Sequence, residues 1–286
     1  MTGFVEVALL LSAPLLLSAT GELLLERAGS IQIGLEGTML VGAWIAFASG
    51  RAGLPPSAGL LAAAIAGLLA GLLFALFAVA RRADPVLVGT VWNLLALGAT
   101  AFAYRLVAGE TGAVLEVATL PRGAAGIPDA VAASLLAPVL LHVWLTRSRA
   151  GLRLTAAGEN PEALRSLGLS VVAVRSGAAA ASGALGALGG AMLVVTVSPT
   201  FVEGITAGRG FFALAIVVFA RWKPLALLPA ALLLGGVTAL QYRLQAGGTA
   251  LPYAFFLALP GLVALAALAL ASSRGGAPRA LGSPAP

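Results

Sequence analysis

The sequence predicts an all-α fold, a polytopic bundle of transmembrane helices with about eight to nine spans, on three observations. The chain of 286 residues is 60% hydrophobic and 10% charged, with a mean hydropathy of +1.02, a balance that water-soluble domains do not carry. Apolar runs long enough to cross a bilayer core of about 30 Å recur along its whole length. Those runs are apolar all round, as in LLAAAIAGLLAGLLFALFAVA, and not alternating as barrel strands are.

In chain order the runs place spans at about 4–20, 35–50, 58–80, 86–107, 128–146, 171–195, 209–220, 224–240 and 252–271. The first begins MTGFVEVALLL, without the positive region of a secretory signal, and is expected to be retained. The second opens on IGLEG, which sets Glu36 between Gly34 and Gly37 at the mouth of an apolar run. Gly67 and Gly71 in the third, and Gly183, Gly186 and Gly189 in the sixth, have the small-residue spacing that lets helices approach closely. The fourth contains Trp92 and Asn93. The fifth holds His142, the single histidine, which excludes a histidine metal cluster. The run at 209–220 is short, as a re-entrant or broken helix is, although parity prefers a crossing. The chain thus divides into a transmembrane domain over 1–271, with a cytoplasmic loop at about 147–170, and a Gly-, Pro- and Ser-rich tail at 272–286 expected to be disordered. The longest non-cytoplasmic loop is expected from Ala108 to Ile127.

Charge orients the bundle. If the Arg-rich loop is cytoplasmic, alternation puts Arg27, Arg81, Arg82, Arg147, Arg149, Arg153, Arg165, Arg175, Arg221, Lys223, Arg274 and Arg279 on that side, twelve of the 17 basic residues. The bias predicts an external N-terminus and a cytoplasmic C-terminus. It also accounts for the net charge of +6 without a nucleic-acid polymer as partner, because the arginines are spread over the loops between spans. Cysteine is absent, so disulfides, thiolate metal sites and cysteine nucleophiles are excluded.

Two regions look alike. IGLEGTMLVGAWIAFA, a Pro-containing connection and LLAAAIAGLLAG are matched later by VEGITAGRGFFALAIVVFA, RWKP and LPAALLLGG, in opposite orientation by parity. An inverted repeat enclosing a translocation path leaves such a pair, and the path is then expected to be faced by Ala43 and Ala213.

Few polar groups carry chemistry. In LRLTAAGENPEALRSLGLS, Asn160 suits a helix N-cap, Pro161 the first helical position, Glu162 the first turn and Gly168 the stop, which predicts a helix of about two turns between spans. So short a helix needs a surface to dock on. Glu36 either lies at a helix N-terminus for its dipole or shapes a broken-helix entry. Asn93 and Trp92 either offer an amide and a ring to a polar solute or bond a neighbouring helix. Arg175 and Arg105 sit near span ends, from which they can reach the interface. The single lysine, Lys223, lies in no phosphate-binding Gly-rich loop, and no HExxH or G-x-S-x-G motif is present.

GENPEALRSLGLS resembles the cytoplasmic coupling loop of ABC-transporter permeases of the branched-chain amino acid, simple-sugar and nucleoside uptake group. ERAGSIQIGLEGTMLVGA resembles that group's N-terminal motif and GRGFFALAIVVFARWKPLALLPAALLLGG its late signature; together they look most like permeases that serve nucleoside-binding lipoproteins. The resemblance, over Glu22 to Leu244, implies a non-enzymatic permease subunit of an ATP-driven importer for nucleosides or simple sugars, multi-pass in the inner or plasma membrane of a prokaryotic cell. It implies no cofactor on this chain, with ATP and Mg on a separate ABC ATP-binding subunit. Further implied partners are a second permease subunit, homologous or identical, an external solute-binding lipoprotein and the lipid bilayer. By resemblance Gly158, Glu159, Asn160, Pro161 and Glu162 couple to the ATPase, and Gly34, Glu36, Gly37, Trp92, Asn93, Gly208, Gly210 and Phe211 belong to the solute pathway. The alternatives are a secondary transporter or channel for a small polar solute, or a branched-chain amino acid permease of the same group.

Overall fold

Helix α8 (Val171–Met192) forms the spine of the bundle, because its small residues let three other helices come within backbone contact. A Cβ on Gly67 would stand 2.2 Å from the carbonyl oxygen of Gly183, a distance only glycine permits. The computed structural model describes residues 3–109, 115–123, 126–247, 253–270 and 276–283. Around α8 stand α1 (Phe4–Arg27), α2 (Leu35–Arg51) and α3 (Pro56–Phe74), the last running on through a π-helical turn at Ala75–Ala80. Helices α4 (Pro85–Ala108) and α5 (Asp129–Arg147) lie further out. After α8 and its own π-helical turn at Leu193–Val197 come α9 (Arg209–Phe219), α10 (Leu227–Ala246) and α11 (Tyr253–Leu270). Two short helices, α6 (Arg149–Glu159) and α7 (Pro161–Ser166), connect α5 to α8. No strand forms among the described residues.

Six described helices are long and apolar enough to cross a membrane, fewer than the eight to nine spans expected. The difference lies partly in α2 and α9. Helix α9 has 11 residues, about 16 Å at the usual rise, against a bilayer core of about 30 Å. It starts inside the bundle, against the start of α2, and the two run apart. The far end of α2 reaches Val117, which a Cβ on Gly50 would touch at 2.8 Å. Beyond the far end of α9, the indole of Trp222 donates to the carboxylate of Glu26 in the last turn of α1. The pair is therefore two half-helices meeting head to head, each joined by a Pro-containing link to a long helix, α3 or α10. Ala43 and Ala213, expected to face a lumen, are wholly buried inside this subunit.

The ends of the bundle are held by different contacts. At one end Val117 N donates to Pro199 O at 2.8 Å and Leu120 N to Val195 O at 2.9 Å. Arg105 pairs there with Glu203 at 2.8 Å, and that hydrogen bond holds the Glu203 carboxyl below the usual carboxylate range. Residues 110–114 and 124–125 of the expected long loop lie outside the described residues. At the other end gather the last turn of α1, helices α6 and α7, and residues 276–283, where Ala280 N donates to Gly158 O at 2.8 Å and Gly282 N to Gly29 O at 3.1 Å. The tail was expected to be disordered, yet its described part is hydrogen-bonded into the fold; residues 272–275 and 284–286 lie outside the description.

Candidate functional site

The first four N–H groups of a helix have no partner within it. In α9, which begins within the bundle, those donors need an acceptor from elsewhere in the protein. Glu36 supplies it. Its Oε1 accepts from Gly208 N at 2.8 Å and from the Thr206 hydroxyl at 2.6 Å, and its Oε2 accepts from Gly210 N at 2.6 Å. Both half-helix N-termini thus converge on one carboxylate, where two positive dipole ends favour negative charge. Glycine is required twice in this contact. Gly208 adopts φ +82°, and a Cβ on Gly210 would lie 2.5 Å from the backbone of Glu36.

The start of α2 is held with equal economy. Gly37 N donates to Asn93 Oδ1 at 2.8 Å while Asn93 Nδ2 donates to Ile33 O at 3.0 Å, so the side-chain amide replaces the missing helical partners on both sides of the break. Trp92 Nε1 donates to the Thr38 hydroxyl at 3.0 Å, and Thr38 donates to Gly34 O at 3.1 Å. Gln32 N donates to Glu22 Oε1 at 2.8 Å, anchoring the preceding turn to α1.

Seven of the eight expected pathway residues therefore meet at one place: Gly34, Glu36, Gly37, Trp92, Asn93, Gly208 and Gly210. Phe211 stands apart, with 49% of its surface exposed. Of the two readings open for Asn93, the geometry is that of an inter-helix clamp, because both its amide atoms are engaged by backbone. Glu22 and Glu26 were missed as buried acids. The apolar run was expected to end at 20, whereas α1 continues to Arg27 and buries both carboxylates. Apolar neighbours on other helices bury a polar last turn, and hydropathy along one segment does not register them.

Near the end held by Arg105 and Glu203 lies a cavity of about 500 Å³ between α1, α9, α10, α11 and the segment 197–207. Its walls are apolar at Leu11, Leu15, Phe212 and Leu257, and polar at Ser198, Arg209, Thr238, Gln241 and Tyr242. Arg209 Nη2 donates to the Tyr242 hydroxyl at 3.2 Å across it. Size and mixed lining suit a solute with one flat apolar face and several hydroxyls. None of these polar residues was singled out by sequence, since scattered Ser, Thr and Gln on apolar helices are indistinguishable from helix-packing residues.

At the opposite end, Asn160 Oδ1 accepts from Ala163 N at 3.0 Å and Pro161 opens α7, as expected for that motif, while Gly168 follows the helix with φ +73°. Helix α6 was not foreseen; Ser148 caps it by accepting from Gly151 N at 2.9 Å. Leu164 is buried and anchors α7 in the fold, whereas Leu167 and Leu152 expose 75% and 70% of their surfaces, and Asn160, Glu162 and Ala163 are exposed as well. Glu159 is 4.0 Å from Arg27, and the break between the two short helices falls at Asn160, with φ −152° and ψ 82°. Arg175, expected to reach the membrane interface, is instead buried, with 2% exposed. Among the described residues no three His, Cys, Asp or Glu side chains come together as a metal site.

Comparison with known proteins places these features in a lineage. Residues 4–268 match the profile of the family described as branched-chain amino acid transport system / permease component. The guanosine ABC transporter permease protein NupQ of Bacillus subtilis is 34% identical over 98% of this chain and 95% of its own. The nucleoside ABC transporter permease protein NupC of Lactococcus lactis is 31% identical over 96% and 93%. Among solved structures, an inward-facing ABC transporter described as of metal-chelate type shares the fold with a TM-score of 0.54, at 16% identity, covering 93% of this chain and 86% of that one.

Proposed function

This chain belongs to the permease component family of the branched-chain amino acid transport systems and is a transport subunit, not an enzyme; from that premise we propose that it forms the pathway of an ABC importer for nucleosides or simple sugars. Near-full-length identity with a guanosine permease carries the solute class. The cavity of about 500 Å³ agrees in chemistry: Ser198, Thr238, Gln241 and Tyr242 offer hydrogen bonds to ribose and base, and Phe212 and Leu257 offer apolar surface.

The half-helix pair supplies the moving part. Glu36 holds α2 and α9 together through three hydrogen bonds and no continuous backbone, so the halves are able to separate and rejoin where two long helices are not. Trp92, Asn93, Gly34 and Gly37 keep the α2 end fixed while Gly208 and Gly210 give the α9 end its approach. Phe211, exposed in the first turn of α9, is the pathway residue free to touch the solute or a second permease subunit.

Gly158, Glu159, Asn160, Pro161 and Glu162 couple to a separate ATP-binding subunit, which carries ATP and Mg. Exposed Leu152 and Leu167 provide the apolar contact and α7 the rigid lever. An external solute-binding lipoprotein delivers the solute, and a second permease subunit completes the path. The chain lies in the prokaryotic inner or plasma membrane, with its N-terminus outside and its C-terminus in the cytoplasm.

The test is to purify the complex from its native membrane, reconstitute it with its binding protein, and follow labelled guanosine. ATP-dependent uptake that excess nucleoside competes and leucine does not is the expected result, with a cysteine at Ala163 crosslinking to the ATPase. Uptake that persists when the ATPase is inactivated would return the chain to the secondary transporters.

A further inference from the structure

Arg175 heads the side chains that the bundle buries completely, and its neighbours are unusual for a buried cation. Among the described residues it makes no ion pair with a carboxylate. Its guanidinium donates to three main-chain carbonyls on three separate segments. Nε reaches Ala28 O at 3.0 Å, just after α1; Nη2 reaches Ala157 O at 3.4 Å, near the end of α6; Nη1 reaches Ser283 O at 2.7 Å, in the C-terminal segment. That segment ties the same pieces again, through Ala280 N to Gly158 O and Gly282 N to Gly29 O.

A buried charge without a counter-charge is costly, and an apolar residue would serve packing alone better. A guanidinium's value lies in its planar fork of five donors, which fixes several acceptors in one geometry; an ammonium group cannot do this. The junction is tight at two backbone contacts, and on its other side Arg175 lines a cavity of about 250 Å³ with Ser30, Arg82, Asp84 and Ser283. A Cβ on Gly158 would stand 2.2 Å from Arg27 O, and one on Gly29 would stand 2.7 Å from Arg175 Nη2. From Gly29 the chain needs only a short turn, pinned by Gln32 to Glu22, to reach Glu36 and the half-helix contact.

We propose that Arg175 is a positioning residue for transport: from α8 it locks the coupling helices, the C-terminal segment 276–283 and the turn before α2 into one body, so that a push on residues 158–162 arrives at the Glu36 contact. The proposal rests on the coupling role assigned above to that loop. It makes the C-terminal segment part of the transmission.

The experiment compares Arg175→Gln, Arg175→Lys and Ala280→Pro in the reconstituted complex of permease, ATPase and binding protein, each with the Ala163 crosslink as a docking control. Ala280→Pro removes the N–H given to Gly158, while also fixing φ at 280 and restricting Arg279, and keeps the guanidinium. The readout is solute carried per ATP hydrolysed. A fall of about two- to thirtyfold is expected for Arg175→Gln and Ala280→Pro, the range seen when residues remote from both ligands carry coupling, with Arg175→Lys between them and the unaltered chain. A merely structural role lowers uptake and hydrolysis together, in proportion to the folded complex. That result, or an unchanged ratio with the crosslink intact, overturns the role of Arg175 and leaves the docking of α7 standing. No crosslink from Ala163 in the unaltered chain overturns both.

Discussion

Three hydrogen bonds end on the Glu36 carboxylate, and hydrogen bonds to a charged acceptor contribute about 1.5–3 kcal/mol each. Glu36→Ala therefore leaves Thr206, Gly208 and Gly210 without their partner and should destabilise the protein by at least about 3 kcal/mol, read as a lowered melting temperature in detergent. Glu36→Gln keeps one acceptor oxygen and should lie between. Melting unchanged in both variants would mean that water satisfies the α9 donors as well as the carboxylate does. The presence of a glutamate at a helix start was legible from IGLEG, but its partner was not. Thr206 and Gly208 lie 170 and 172 positions away in the sequence, and no local pattern records a contact of that span. Asn93 is a similar case, since an amide on an apolar helix reads the same whether it faces a solute or, as here, the backbone of α2.

Elements were legible to the extent that their signals are local. An N-cap acts on an N–H two or three residues ahead, and Pro at the first helical position acts on its own φ, so Asn160 and Pro161 announce α7 without any tertiary knowledge. Replacing Asn160 with Ala should cost about 0.5–2 kcal/mol of that helix; measured as solute carried per ATP, it should also weaken coupling, and an unaltered ratio would argue that α7 docks without its cap. Helix α9 needed more than local signals. Its length of 11 residues hinted at a break, but where it starts within the bundle depends on the approach of α2. Gly210→Ala would put a Cβ 2.5 Å from the Glu36 backbone and force the halves apart, at a cost of about 1–3 kcal/mol typical of overpacking. Gly236→Ala, on α10 with nothing within 4 Å of its added Cβ, should be tolerated and serves as the control. Equal melting temperatures for the two variants would show that the half-helix contact yields freely.

At the scale of the molecule, the two ends sort their charges. Arg27, the α6–α7 pair and residues 276–283 come together at one end, while Arg105 and Arg122 meet Glu203 and Glu6 at the other. A topology reporter fused after Arg149 is therefore expected to read cytoplasmic, and one inserted near Glu116 external. A cytoplasmic signal near Glu116 would invert the bundle and move the proposed ATPase docking face to the wrong side of the membrane. The same division explains why removal of Arg175 or of its contact from the C-terminal segment should disturb coupling without touching the cavity near Ser198 and Tyr242.

The sequence by itself determined the solvent in which the fold forms, because 60% apolar residues in runs of span length leave a lipid bilayer as their only stable environment. It also determined the order of the long apolar helices, the capped turn at Asn160 and the small-residue stripe by which α8 admits α3, since all of these depend on neighbours a few positions apart. Only the tertiary structure decided that Glu36 serves α9, that Glu22, Glu26 and Arg175 are buried, and that a Gly- and Pro-rich tail is held at Gly29 and Gly158. The reason is common to all of them. Backbone donors and acceptors freed by a broken helix or a chain end must be satisfied inside a low-dielectric bundle, and the groups that satisfy them come from whichever helices packing has brought alongside, however far apart they stand in the chain.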